Sequence, residues 1–141
     1  MPTTADTLLA AILAEPARDD LRLMYADWLE EHGEIGAADL LRSGRMPQQP
    51  GDYFAAGALS GCSYLPGSFE KRFARDYAAQ MSTDGFRPTV KQWACAWRMV
   101  WRYRKQLHTS GYRQIIQRAA WLNGKASSRL SSSSRQTTLF D

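Results

Sequence analysis

The sequence has few of the residues that metal sites and disulfide frameworks require. It holds two cysteines, Cys62 and Cys95, and two histidines, His32 and His108, in 141 residues. The cysteines lack CxxC spacing and neither histidine stands at a ligand spacing from them, so the pattern indicates no zinc site. We expect no metal and no cofactor. So few cysteines also favour a reducing compartment, and we expect a cytoplasmic protein.

Long hydrophobic runs are also missing. Hydrophobic residues make up 44% of the chain, but no run approaches the roughly 18 apolar residues of a membrane-spanning helix. Asp6 interrupts the sequence before its only short N-terminal apolar stretch. We therefore expect no signal peptide, no transmembrane helix and no membrane partner.

Common catalytic motifs are absent as well. The sequence contains no phosphate-binding loop and no GxSxG elbow. The acidic pairs Asp19-Asp20 and Glu30-Glu31 would point about 100° apart on a helix, away from a shared site. Because no set of catalytic residues can be assembled, we predict that the protein is not an enzyme.

Charge is present but divided unequally along the chain. Residues 1–60 hold 4 Lys and Arg against 10 Asp and Glu, whereas residues 61–141 hold 14 against 4, which gives net charges of −6 and +10. A cationic segment favours a polyanionic partner, because phosphates that bind it release counterions. The alternative is that the two oppositely charged pieces attract each other.

Hydrophobic spacing predicts an all-α fold. No segment alternates at period two, whereas apolar residues recur at helical spacing. The expected helices cover residues 4–15, 19–32, 35–43, 69–81, 90–107 and 110–122. Ser68 and Thr89 are placed to cap two of them, and Met24 and Ile35 are predicted to point inward.

Composition divides these helices into small modules. Gly, Pro and Gln are frequent in residues 44–67, which predicts a linker with at most one helical turn at 53–59. The linker separates an acidic helical module, residues 1–43, from a basic, aromatic-rich helical domain, residues 68–123. Residues 124–141 are rich in serine, and this composition predicts a flexible tail.

Residues 7–42 contain a distinctive string. Leu-Leu-Ala-Ala-Ile-Leu-Ala-Glu-Pro begins at Leu8, and Tyr-Ala-Asp-Trp-Leu-Glu-Glu-His-Gly runs from Tyr25 to Gly33. These motifs resemble the bacterial repeat-companion domain, and residues 37–42 are similar to its next helix. The resemblance implies a bacterial origin and a small helical interaction module, and no activity is attached to that family.

The second half interleaves aromatic and basic side chains. Between Lys91 and Lys105 the sequence places four aromatic and five basic residues. Cations contact phosphates and aromatic faces stack on bases, so the stretch predicts binding to single- or double-stranded DNA. The residues assigned to DNA are Arg98, Arg102, Arg104 and Lys105, with Lys71, Arg72 and Arg75 from the preceding helix. The stretch is also similar to segments encoded on phage or plasmid DNA.

The aromatic and basic residues of this stretch have different interpretations. At helical spacing, Trp93 and Trp97 are more typical of a core packed against the preceding helix than of a base-stacking surface. Arg98, Arg102 and Lys105 lie three to four positions apart, which predicts one cationic stripe that a core does not need.

A short motif follows the serine-rich stretch. Gln136-Thr-Thr-Leu139-Phe140 resembles the peptide by which bacterial replication and repair proteins bind the β sliding clamp. The resemblance implies that Gln136 anchors the peptide through its amide, while Leu139 and Phe140 enter an apolar pocket of the clamp. Thr137 departs from the family, which most often has Leu there. The alternative for this exposed apolar pair is docking back onto its own domain.

Together these patterns predict a non-enzymatic DNA-transaction accessory protein, bacterial or carried by a phage or plasmid. It would bind DNA through the basic helix and the β sliding clamp through the C-terminal peptide. The alternative is a protein–protein adaptor whose acidic N-terminal helices bind a basic partner, with the arginine-rich helix as a solvated face. Salt separates the two hypotheses, because phosphate binding weakens steeply with added salt.

Overall fold

Helices make up nearly all the regular structure of the described residues. The computed structural model describes residues 3–108 and 111–125. Its helices are, in order, α1 Thr4–Ala14, α2 Asp19–Glu31, α3 Ile35–Arg42, α4 Pro50–Ser60, α5 Phe69–Met81, α6 Val90–Arg102, α7 Arg104–Leu107 and α8 Arg113–Leu122. No strand occurs within these ranges, which confirms the predicted all-α class.

Side-chain caps fix the starts of α5 and α6. The Ser68 hydroxyl accepts a hydrogen bond from the Lys71 N–H at 3.2 Å, and the Thr89 hydroxyl accepts one from the Gln92 N–H at 3.1 Å. Each bond satisfies a backbone donor that has no partner inside the helix. Both predicted caps are confirmed, and the two helices that carry most of the predicted DNA contacts begin at defined residues.

α6 lies at the centre of the fold. Helices α1, α4, α5 and α8 all contact it, and seven of its 13 residues are buried. Trp93 and Trp97 are 2% and 1% exposed, so the interpretation of these side chains as core is confirmed. Neither indole is open to a base.

The segment predicted as a linker carries helix α4 instead. Pro50 stands at its first position, where a missing N–H costs nothing, and Gln49 and Asp52 form a capping box. Five residues of α4 are buried. Four of them, three alanines and Leu59, belong to the same hydrophobic core as residues of α1 and α6. Composition concealed this helix because Pro50, Gly51 and Gly57 are read as loop residues when their positions in the helix are unknown.

The helix predicted over residues 90–107 is divided in two. Tyr103 stands at the junction with φ −100° and ψ 18°, and α7 begins at the next residue. Lys105 therefore belongs to α7, and it lines a different cleft from Arg98 and Arg102. The predicted stripe through Arg98, Arg102 and Lys105 does not lie on one helix.

Two side chains predicted to point inward face solvent. Met24 is 53% exposed and Ile35 is 54% exposed. The core side of α2 is formed instead by Tyr25, Ala26 and Leu29, which are buried. Met24 lies about 100° away from Tyr25 around the helix, so a neighbour in sequence is not a neighbour on the buried face.

No helix in the described ranges is long and apolar enough to cross a membrane.

Candidate nucleic-acid interface

The exposed surface of α6 is cationic. Most of this helix faces the core, and its three exposed residues are Lys91, Arg98 and Arg102. They recur at intervals of seven and four residues, which places them along one side of the helix over about 16 Å. We call these three residues the α6 strip. A deeply buried helix thus offers solvent one narrow surface, and that surface carries three positive charges.

Two contacts fix the arginines of the α6 strip. Arg98 donates from Nη2 to the Leu13 carbonyl oxygen at 2.6 Å, which satisfies a backbone acceptor in the last turn of α1. Arg102 donates from Nη1 to Oε2 of Glu70 at 2.8 Å. The Arg102 side chain remains 67% exposed, whereas that of Glu70 is 25% exposed. The strip is held in place by its neighbours, and one of its charges is partly balanced.

An open groove of about 390 Å³ runs beside the strip. We call it the α6 groove. Its lining residues are Pro16, Phe69, Glu70, Lys91, Cys95, Arg98, Met99 and Arg102. Burial raises the pKa of the Cys95 thiol, so the thiol is neutral at pH 7 and adds no negative charge between the cations. The groove joins an apolar floor to a cationic edge.

The predicted cations of α5 lie on another surface. Lys71 and Arg75 line a cleft beside Tyr64, away from the α6 groove. Arg72 donates to the Gly67 carbonyl oxygen at 2.7 Å, and Arg75 contacts Asp76 at 3.0 Å. The structure therefore places Lys71 and Arg75 at a different cleft from the α6 strip, and it bonds Arg72 to the backbone just before α5.

The remaining predicted cations belong to α7. The Arg104 guanidinium lies over the Trp101 ring, 3.9 Å from its centroid, and donates to the Trp101 carbonyl oxygen at 2.8 Å. Lys105 lines a different cleft with His108 and Ile116. Cation–π contact holds Arg104 against the protein. Six of the seven predicted cations thus line three different clefts, two in each.

Lys91 is the strip residue that the sequence assignment omitted. It lies seven positions before Arg98, and seven residues are nearly two helical turns, so both side chains point the same way. This spacing was visible in the sequence. What was not visible is that every other side of α6 is covered, which leaves this side as the accessible one.

The two oppositely charged halves are not joined mainly by ion pairs. The described residues form nine ion pairs, and one of them, between Asp6 and Arg118 at 2.7 Å, links residues 1–60 to residues 61–125. Although burial opposes ionisation of Asp6, hydrogen bonds from Arg118 and Thr3 keep the pKa of its carboxyl below the usual value. The positive charge of the second half is therefore mostly left facing solvent.

A buried carboxylate makes the deepest polar contact between the halves. Asp52 is 5% exposed, and its Oδ1 accepts hydrogen bonds from the indole N–H groups of Trp93 at 3.2 Å and Trp97 at 2.9 Å. Its Oδ2 accepts one from the Gln49 N–H at 2.8 Å. Burial raises the pKa of Asp52 against the opposing effect of these bonds. Sequence spacing gave no indication of this contact, because the partners lie more than 40 residues apart.

In the part of the chain that the structure describes, no group of three or more His, Cys, Asp or Glu side chains could hold a metal ion.

The clamp-binding residues assigned from the sequence, Gln136, Leu139 and Phe140, lie outside the described residues.

Comparison with protein-family models, with curated proteins and with solved structures found no match to this chain.

Proposed function

We propose that this protein is a non-enzymatic accessory factor that binds DNA through the α6 strip and docks on the β sliding clamp through its C-terminal peptide. The observation that carries the DNA proposal is the exposed side of α6, where all three exposed residues are cations. A solvated helix face in a globular protein ordinarily carries charges of both signs, whereas the three residues of the α6 strip are all positively charged.

The dimensions of the strip fit a phosphate backbone. Its length of about 16 Å corresponds to about five nucleotides of one strand, since phosphates follow each other every 3.4 Å or so along the duplex axis. Three cations at this spacing can contact two or three phosphates. Each contact releases condensed counterions, which favours binding and makes it sensitive to salt.

The clamp proposal rests on the sequence motif. Leu139 and Phe140 supply the two adjacent apolar side chains that a pocket of the clamp would bury, and Gln136 supplies an amide three positions earlier. Residues 125–135 separate this motif from the helical body, so clamp docking and DNA binding would use different parts of the chain. A body that binds DNA and a peptide that binds the ring around DNA would reinforce each other through raised effective concentration.

The DNA proposal is tested by fluorescence anisotropy with labelled DNA over a range of salt. Lys91→Gln with Arg102→Gln should lower affinity at about 50 mM salt by ten-fold or more and reduce the salt slope by about 2, because two phosphate contacts are lost. Arg98 is left in place because it bonds to the Leu13 carbonyl. The matched control is Arg18→Gln, which removes an exposed arginine from the acidic half.

The proposal predicts that Arg18→Gln leaves DNA binding nearly unchanged. Absence of binding by the wild-type protein at low salt, or equal losses in Arg18→Gln and the double variant, would contradict it.

The clamp proposal is tested by titrating a peptide of residues 135–141 into a purified bacterial clamp. Few atoms are buried, so we expect micromolar affinity. Leu139→Ala with Phe140→Ala should abolish binding, since each side chain contributes about 1.5–3 kcal/mol when buried. Gln136→Ala should weaken binding less, because its hydrogen bonds replace those made with water.

Two further peptides sharpen this test. Thr138→Ala is the control and should bind as the wild type does, whereas Thr137→Leu restores the residue typical of the family and should bind more tightly. If several hundred micromolar wild-type peptide gives no detectable heat, the binding free energy is roughly −5 kcal/mol or weaker, and clamp docking is refuted.

One observation favours the adaptor as a second candidate. On the outer side of α2, Leu23 and Met24 are 41% and 53% exposed beside the exposed carboxylates of Asp20 and Asp27. Exposed apolar side chains amid acids suit a basic protein partner. If the adaptor is correct, Leu23→Ser with Met24→Ser abolishes binding to that partner, and the wild-type protein does not bind DNA.

A further inference from the structure

The structure distinguishes one aromatic side chain from the others of α5 and α6. Trp93, Trp97 and Tyr77 are 2% exposed or less, whereas Phe69 is 59% exposed. Phe69 is the first residue of α5 and lines the α6 groove, on the wall that also contains Glu70. A large apolar ring is thus presented to solvent beside three cations.

Phe69 is positioned by a stack of rings. Its centroid lies 5.8 Å from that of Phe73 with the ring planes 24° apart, and Phe73 lies 5.1 Å from Tyr77 with the planes 16° apart. Tyr77 is buried in the core, and the Ser68 cap fixes the start of the helix. The outermost ring of the stack is therefore held at the groove before any ligand binds, which lowers the entropy cost of binding.

The combination of ring and cations selects among forms of DNA. In a duplex the base faces are stacked on each other, and an aromatic side chain beside the backbone finds no partner. In a single strand the base faces are accessible, and proteins that bind single strands combine a cationic groove with aromatic rings on which bases stack. A cationic strip alone would bind a duplex as well as a single strand. The exposed aromatic ring is therefore the feature that favours single-stranded DNA.

We propose that the α6 groove binds single-stranded DNA, with a base stacked on Phe69 and the flanking phosphates on Lys91, Arg98 and Arg102. This inference rests on the proposed DNA-binding function and names its substrate. The apolar floor of the groove contacts the base, while its cationic edge contacts the backbone. Glu70, which pairs with Arg102, disfavours a second phosphate at that end and limits the groove to a short stretch of strand.

The experiment compares oligothymidylate of about 20 nucleotides, longer than a site of 4–16 nucleotides, with a duplex of equal length at the same salt. Wild-type protein should bind the single strand more tightly. Phe69→Leu keeps an apolar side chain but removes the ring, and should lower single-strand affinity about ten-fold, because stacking contributes that order of free energy per base. Duplex affinity and both salt slopes should not change.

Two variants complete the design. Phe54 is 62% exposed on α4 and outside the groove, so Phe54→Leu is the matched control and should leave both affinities unchanged. Phe69→Trp retains a stacking face and should bind the single strand at least as well as the wild type does. Because Phe69 is exposed, the thermal midpoint of Phe69→Leu should stay close to that of the wild type.

The outcomes separate this inference from the proposal on which it rests. Equal binding to both forms of DNA, with no loss in Phe69→Leu, would overturn the single-strand inference and leave DNA binding intact. Equal losses on both forms in Phe69→Leu would also overturn it. Absence of binding to either form at low salt would refute the DNA proposal itself.

Discussion

The acidic and basic halves of this protein use their arginines in different ways. In the acidic half, Arg42 contacts three carboxylates and Arg18 contacts two. In the α6 strip, Arg102 contacts one carboxylate and Arg98 bonds to a backbone carbonyl. In the acidic half, acids thus surround Arg18 and Arg42, whereas the strip keeps its positive charge toward solvent.

The difference shows that charge division along the sequence is not cancelled on folding. If the halves attracted each other through their charges, ion pairs between them would be common, but most ion pairs of the described residues lie within one half. The halves are joined instead by the buried core and by hydrogen bonds such as those of Asp52 to Trp93 and Trp97. Surface charge is therefore left for partners.

Removing the central hydrogen bonds should have the largest effect on this arrangement. Asp52→Ala leaves two buried indole N–H groups without their acceptor and should cost about 2–5 kcal/mol of the free energy of unfolding. For a chain of this size that lowers the thermal midpoint by about 10 °C or more. Asp52→Asn retains one acceptor oxygen and should lose less. A thermal midpoint of Asp52→Ala within about a degree or two of that of the wild type would show that the Asp52 hydrogen bonds do not hold the two halves together.

Acid should affect the wild-type protein and Asp52→Asn differently. Burial raises the pKa of the Asp52 carboxyl in the folded state above its value in the unfolded chain. The folded state then binds this proton more readily than the unfolded state does. The resulting stabilisation is fully present below the unfolded-state pKa and is lost as pH rises through the folded-state pKa.

Asn at this position does not titrate, so the stability advantage of the wild type over Asp52→Asn should widen as pH falls. Denaturant unfolding of both proteins tests this, with the free energy of unfolding measured at intervals of about half a pH unit between pH 4 and 7. A gap that narrows with acid would mean that the carboxylate is stabilised in the core.

Glu70→Gln should strengthen DNA binding. The substitution removes a negative charge from the α6 groove and ends the competition between Glu70 and a phosphate for Arg102. We expect a two- to five-fold gain in affinity, roughly, with little change in the salt slope, because Arg102 contacts a phosphate in both proteins. Glu31→Gln, an exposed acid of the other half, is the control and should have little effect. A loss of affinity in Glu70→Gln would indicate that Glu70 positions Arg102 for its phosphate.

Arg42→Gln should have the smallest effect. Its carboxylate partners are 51–72% exposed, and ion pairs at the surface contribute little to stability. The thermal midpoint should change by about a degree or two, and DNA binding should stay the same. A clear loss of DNA affinity would mean that the acidic half takes part in the interface.

The fold class and several helix limits followed from the sequence because they depend on local chemistry. Ser68 and Thr89 cap the helices they precede, and the spacing of Trp93 and Trp97 indicated a buried side. Local sequence patterns did not predict the helices whose formation depends on tertiary packing. Helix α4 is formed by small residues that the core covers, a feature its glycine and proline content did not indicate.

The sequence predicted some residues of the candidate site but not which of them lie together. Arg98 and Arg102 were assigned to DNA and do lie together, whereas Lys105 was placed with them and lies on another surface. Helix α7 begins after Tyr103 and packs against α8, a contact that no short sequence window contains. The exposure of Phe69 could not be predicted from the sequence, because it depends on which end of the ring stack meets the core.

The salt dependence of DNA binding by the wild-type protein tests the central claim most directly. With three phosphate contacts from the α6 strip, the slope of log affinity against log salt should be about −2 for a single strand and about −3 for a duplex. Neutralising Lys91 and Arg102 should bring both slopes close to −1. A wild-type slope near zero, or one that the double variant leaves unchanged, would contradict the assignment of the α6 strip as the DNA-binding surface.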